Sequence, residues 1–232
     1  MRLSYSQAWQ LKEKTKERIY GLPKNYYKLL PWICQRLLQT NPRTIMEVTH
    51  SYDDHFEKLF IAHGVSIQGF VMGCQPIIID SSHMSGPYGG ALFSASSYDA
   101  NDCMFPLAFG VLSSENYENY ENWLWFLENL KKVVEGKEVI IIFGRHPALL
   151  QSVPKVFGVE NHAYCYHHLK ENFSSFLTKY NTKGNKDKDH ALEWLDSIAY
   201  ARLDHDYNAV MFELRKSNLA LAYWVEENKL EH

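Results

Sequence analysis

The chain has 232 residues, of which 46% are hydrophobic and 22% charged, the composition of an ordinary folded protein with one main domain and an appended helical piece. A net charge of −3 and a pI near 6.4 exclude a whole-protein positive field that recruits a polyanion, so any nucleic-acid contact must come from a local patch or another domain. No apolar run approaches the ~20 residues that span a bilayer, which argues against membrane insertion.

Met1 to Gln7 has no apolar core followed by small cleavage residues, so secretion is not expected. Ser4 and Ser6 are candidate caps for a helix whose apolar Ala8, Trp9, Leu11, Ile19 and Tyr20 lie among Lys12, Lys14, Lys16 and Arg18. Glu13 and Glu17 neutralise part of that basic run, so it reads as a solvated face. After Leu22-Pro23 a second helix restarts at Pro31, carries Ile33, Leu37 and Leu38, and stops at Asn41-Pro42. The β-branched run Thr44 to Thr49 predicts a strand, and Phe56 to Phe70 a mixed stretch that periodicity does not assign.

Pro76 to Asp80 is a short apolar run ending in a carboxylate, the pattern of a strand buried on both faces. Two further strands, Ala91 to Tyr98 and Met104 to Leu112, flank the turn-like Asp99-Ala100-Asn101-Asp102. Asn119 to Val134 reads as a helix with Trp123, Phe126, Leu127, Leu130 and Val133 on one face, and Val139 to Phe143 as the next buried strand. The chain then turns helical through Leu149, Leu150 and Val153, passes a short strand at His162 to Tyr164, and enters a helix with Leu169, Phe173 and Phe176. Lys183 to Lys188 is expected to be a polar loop, followed by two or three amphipathic helices carrying Leu192, Leu195 and Ile198, then Tyr207, Val210 and Met211. Leu230-Glu231-His232 reads as a cloning scar entering a histidine tag, with natural sequence continuing past Lys229.

The order strand, hairpin, helix, strand, helix, strand, helix demands an α/β fold, a mixed sheet flanked by helices, as in ribonuclease-H-like folds. We divide the chain into an N-terminal helical and strand region (1–74), a ribonuclease-H-like core (75–180) and a C-terminal helical extension (181–229), with the scar at 230–232. Cys34, Cys74, Cys103 and Cys165 are scattered and form no C-x-x-C pair, which suits reduced thiols.

Ile79-Asp80-Ser81-Ser82-His83-Met84 with Gly86-Pro87-Tyr88-Gly89-Gly90 resembles the D-G-T-H-L-x-G-x-Y-x-G stretch of Mutator-like transposases and the related FAR1-type plant proteins. Further matches follow in order: Tyr98 to Asn101, Phe105 to Phe109, Glu115-Asn116, Trp123 to Leu127, and Cys165-Tyr166-His167-His168-Leu169. Tyr5 to Trp9 is similar to the region upstream of the family's core. The resemblance implies a DDE transposase core, in which three carboxylates hold two divalent cations about 4 Å apart.

Asp80 matches the first carboxylate. The second follows the next buried strand in a pattern like I-S-D-R, and here Ile142-Phe143-Gly144-Arg145 puts glycine in its place. Ser81 and Pro147 also depart from the family pattern. The third, a glutamate, lies in the family beyond a helical insert, and Tyr223 to Glu227 resembles the helix before that point; Glu226 and Glu227 themselves read as a solvated helix end. Cys165 and His168 match a C-x-x-H element, by itself half of a zinc site at most; His162 and His167 nearby leave a metal site open, and the plainer reading is a small buried thiol and a hydrogen-bonded histidine. His83 reads as a polar prop beside Asp80.

The expectation is therefore a domesticated plant transposase core that is not an enzyme, with Asp80 vestigial and no cofactor or metal. It acts in the nucleus as a scaffold for nuclear or chromatin-associated proteins in transcriptional or chromatin regulation, with weak DNA contact at most, no membrane, and homo-oligomerisation left open. One alternative is a divalent-metal DDE transposase or nuclease completed by Asp102, His146 or further residues. Another is a FAR1-like DNA-binding transcription regulator, whose zinc-containing DNA-binding region is not in this sequence. Trp194, Tyr200, Tyr207, Phe212, Tyr223 and Trp224 are candidates for a docking surface, set against the helical core that aromatic residues at helical spacing usually serve.

Overall fold

A computed structural model describes residues 4–21, 27–73, 76–85, 89–113, 119–179 and 185–228. Seven strands, β1 (Ile45–His50), β2 (Phe56–Ala62), β3 (Ile77–His83), β4 (Ala91–Tyr98), β5 (Met104–Leu112), β6 (Ile141–Phe143) and β7 (His162–Tyr164), form one sheet in the order β1-β2-β5-β4-β3-β6-β7. The first four pairings along this order are antiparallel, whereas β3 with β6 and β6 with β7 are parallel. The sheet thus joins strands from 1–74 with those of 75–180. Its helices are α1 (Tyr5–Tyr20), α2 (Leu30–Thr40), α3 (Gly64–Val71), α4 (Tyr120–Val134), α5 (Pro147–Phe157), α6 (Tyr166–Lys179), α7 (Asn185–Ala199), α8 (Asp204–Ser217) and α9 (Leu219–Glu227).

The hairpin β4–β5 follows directly from sequence. Alternation along β4 buries Ala91, Phe93, Ala95 and Ser97, and Asp99 organises the turn by accepting hydrogen bonds from the N–H groups of Asn101 and Cys103 at 2.8 and 2.9 Å. Helix α4 starts at Asn119, whose side chain accepts from the Asn122 N–H, and packs its aromatic face on the sheet. The Phe93 ring stacks on Trp123 at 3.9 Å between centroids, and Phe126 meets Phe60 and Phe93 edge-on. Gly110 leaves room for that helix, since a Cβ there would come within 2.8 Å of the Phe126 ring.

Phe56 to Phe70 proves to be a strand and then a helix. They divide at Gly64, where a Cβ would fall 2.0 Å from the Pro42 carbonyl oxygen and where the N–H donates to Thr44 Oγ1. The reading of Pro76 to Asp80 as buried on both faces needs correction: Ile77 and Ile79 are buried, but Asp80 is exposed and the strand runs on to His83. The strand expected from Val139 is confined to Ile141–Phe143. Part of the polar loop expected at Lys183 to Lys188 is helical, since α7 begins at Asn185; Lys183 and Gly184 lie outside the described residues.

Helix α1 is capped as anticipated, Ser4 and Gln7 forming a reciprocal capping box, yet none of its residues is buried, and Trp9, Ile19 and Tyr20 stay exposed. Helix α2 buries Cys34, while Ile33 and Leu38 face out. Cys34, Cys103 and Cys165 are free thiols; Cys74, like Gly86 to Tyr88, Glu115, Asn116 and residues 230–232, is outside the described residues. No helix among the described residues is long and apolar enough to cross a membrane.

The apolar interior is double. One cluster joins the sheet with α3, α4 and α5. A second gathers Phe173 and Leu177 of α6 with residues of α7, α8 and α9, among them Leu195, Met211, Leu221 and Val225.

Candidate functional site at the strand ends

The parallel register fixes which residues meet where β3, β6 and β7 end. Ile77 and Ile78 pair with Ile141 and Ile142, so the same register carried two residues on sets Gly144 beside Asp80. Phe143 pairs with Tyr164, which sets Cys165 beside Gly144. The carboxyl ends of parallel strands are where open α/β sheets place ligands.

Asp80 is solvent-accessible over 61% of its side chain, and its Oδ1 accepts the Ser81 N–H at 2.8 Å. His168, in the first turn of α6, approaches the same oxygen with Nε2 at 4.0 Å. The other edge of this imidazole covers Gly144: a Cβ there would lie 3.2 Å from His168 Cγ and 3.3 Å from Nδ1. His168 Nδ1 is buried and has no hydrogen-bond partner. The imidazole therefore occupies the space into which a side chain at 144 would project, and an aspartate would fit only after the ring shifted by a few tenths of an ångström.

Gly144 is followed by Arg145, whose Nη1 donates to the backbone oxygen of Asn228 at 2.9 Å and to its Oδ1 at 2.6 Å, with the guanidinium 5.0 Å from the Tyr164 ring centre. His146 is the N-cap of α5, its Nδ1 accepting the Ala148 N–H at 3.3 Å, and Pro147 takes the first helical position. The departure at Pro147 thus has a local structural role. The Cys165 N–H donates to the Phe143 carbonyl and extends the strand-end ladder.

The remaining sequence candidates do not converge on Asp80. His83, three residues along a regular strand, projects from the opposite face, so the prop beside Asp80 is His168 instead. Asp102 sits at φ 58° in the β4–β5 turn, by the start of β3 rather than its end. His162 lies against the Phe143 and Tyr164 rings, and exposed His167 faces Glu171 at 3.4 Å. Glu226 is ion-paired with Arg215. Among the described residues no group of three or more His, Cys, Asp or Glu side chains is placed to hold a metal ion.

A pair of hard divalent cations takes several carboxylate oxygens. Among the described residues the strand ends offer one carboxylate, one imidazole and a glycine, and these residues do not fit that metal pair. The contact of His168 with both Asp80 and Gly144 carried no signal in the sequence, because it depends on how the first turn of α6 returns over the parallel strand ends.

Residues 76–172 match the MULE transposase domain. No curated protein matches the chain. The domain match runs from just before β3 into α6 and so takes in Asp80, Gly144, Cys165 and His168, although it covers somewhat less than half of the 232 residues. The strand ends described above therefore belong to a stretch of the chain related to Mutator-like transposases.

Proposed function

We propose that this protein is a transposase-derived core that no longer performs strand cleavage or transfer and serves as a docking scaffold for nuclear proteins, in transcriptional or chromatin regulation. The observation that carries the reading is the packing at Gly144. Where the family resemblance expects a carboxylate, the backbone has no side chain, and the His168 ring covers the space at 3.2 Å from the position of a Cβ. A lone Asp80 supplies neither the charge nor the bridging oxygens that two cations need to clamp an attacking and a leaving oxygen. The ribonuclease-H-like reading is supported by the hairpin-linked strands β3, β4 and β5 followed by β6 and β7, both parallel to β3.

The helices after Cys165 are the favoured docking surface. Of the six aromatic candidates, Trp194, Tyr207 and Trp224 pack on the second core, while Tyr200, Phe212 and Tyr223 remain exposed. The Lys216 ammonium lies 4.0 Å from the Phe212 ring centre, so a charge change there alters this surface without touching the interior. Affinity purification of the full chain from nuclear extract, compared among wild type, Lys216→Glu with Tyr223→Glu, and Asp80→Ala, tests the placement. The helix-face variant loses the copurifying proteins at unchanged thermal stability. Retention of every partner by that variant, with loss in Asp80→Ala, places the interface at the strand ends and contradicts the proposal.

A further inference from the structure

We infer that Arg145 is a clasp that anchors the end of α9 to the strand ends of the sheet, so that the position of the C-terminal helical unit is set beside Gly144. The link is made by contacts within the chain and is independent of whether the protein cuts DNA. The two apolar clusters share no residue, and α6 leads covalently from one to the other. Arg145 adds a polar link at a second point. Its Nη1 is shared between the backbone oxygen and Oδ1 of Asn228, at 2.9 and 2.6 Å.

Asn228 is in turn the C-cap of α9: its backbone N–H and Nδ2 both donate to the Trp224 carbonyl, at 3.1 and 2.7 Å. Trp224 lies against Phe173 and Phe176 of α6, with ring centroids 5.0 and 5.8 Å away, so the link runs from β6 through Arg145, Asn228 and Trp224 into the second core. The arrangement is favourable for three reasons. A cation at a helix C-terminus meets the negative end of the macrodipole. Hydrogen bonds from a charged donor to part-buried acceptors are stronger than neutral ones. The guanidinium is also held from behind by the Tyr164 ring on β7.

Because Arg145 is covalently next to Gly144, any rearrangement of that strand end moves the clasp. The exposed side chain of Tyr223, on the anchored helix, moves with it.

Amide hydrogen exchange on the full chain tests this. Arg145→Gln keeps much of the side chain but loses the charge and the fork, and the α9 amides should exchange about tenfold faster while those of β3, β4 and β5 keep wild-type protection. Arg145→Lys should fall between, since an ammonium is a point donor without the planar fork. Asn228→Ala removes one of the two acceptors together with the Nδ2 bond to the Trp224 carbonyl, and should accelerate the same amides about threefold. The acceleration should exceed that in Asn228→Asp, which loses the Nδ2 donor but keeps an acceptor for Arg145, a reading that remains if Arg145→Gln fails to fold. Unchanged α9 exchange in Arg145→Gln or in Asn228→Ala, or an acceleration spread evenly over both cores, overturns the inference.

Discussion

The sheet and the C-terminal helical unit bury aromatic residues on different terms. Between the sheet and α4, Phe60, Phe93, Trp123 and Phe126 are enclosed almost completely and touch ring to ring, and Phe143, equally enclosed, lies against His162 and Tyr164. In the helical unit Phe173 is enclosed, but Trp194, Tyr207 and Trp224 are half-buried and Tyr200, Phe212 and Tyr223 face solvent. The first region thus packs closely behind the strand ends that carry Asp80 and Gly144, while the second has large apolar side chains on its surface. That contrast is the ground on which the proposed docking surface is placed on the helices.

The contrast predicts unequal costs of truncation. Phe93→Ala removes a ring that stacks on Trp123 and meets Phe126, and should destabilise by ~3–5 kcal/mol in urea denaturation. Phe212→Ala, at an exposed position, should stay within ~0.5 kcal/mol. Comparable losses at the two sites would erase the distinction. Gly110→Ala sharpens it further, because the added Cβ meets the Phe126 ring at 2.8 Å where the aromatic cluster leaves little slack, and we expect a loss of about 1–3 kcal/mol.

Gly144→Asp is milder, about 1 kcal/mol, since His168 is partly exposed and the conflict is a few tenths of an ångström. It should not confer DNA cutting, because no third carboxylate is placed beside the pair among the described residues.

The smallest expected effect lies in the helical unit. Asp196 accepts from the Lys170 ammonium at 2.9 Å and from the Tyr166 hydroxyl, and these two bonds, Lys170 first, hold its carboxyl below the ordinary carboxylate range. Burial, and then the bond to Asp196, push the Tyr166 hydroxyl up. A lowered folded-state value means that the carboxylate's contribution is complete above the usual Asp value of 3.8 and disappears as pH falls through the lowered one. The Asp196 side chain is 41% exposed, so solvent screening limits the contribution to ~0.5 kcal/mol. Stability of Asp196→Asn measured between pH 5 and pH 2 should therefore fall less steeply than that of wild type, by about that amount.

How much of this was legible in the sequence follows from the range of each interaction. The hairpin β4–β5, the capped helix α4 and the strand β7 rest on local alternation, turn chemistry and caps, and their limits agree with the sequence reading to within a residue. The glycine at 144 was visible beside the family pattern. Its cover by His168 was not, nor was the clasp from Arg145 to Asn228, because each depends on the register of parallel strands and on the return path of a distant helix. Apolar spacing in α1 likewise gave no sign that its face would stay exposed, since periodicity records amphipathicity and not the presence of a partner.

The most direct test of the central claim is strand cleavage by the purified protein on labelled duplex and single-stranded DNA, with Mg²⁺ or Mn²⁺, alongside Asp80→Ala. We predict that wild type and variant are both at the level of a no-protein control. Metal-dependent cutting by wild type that Asp80→Ala abolishes would show that Asp80 and its neighbours still form a working site, and would contradict the account.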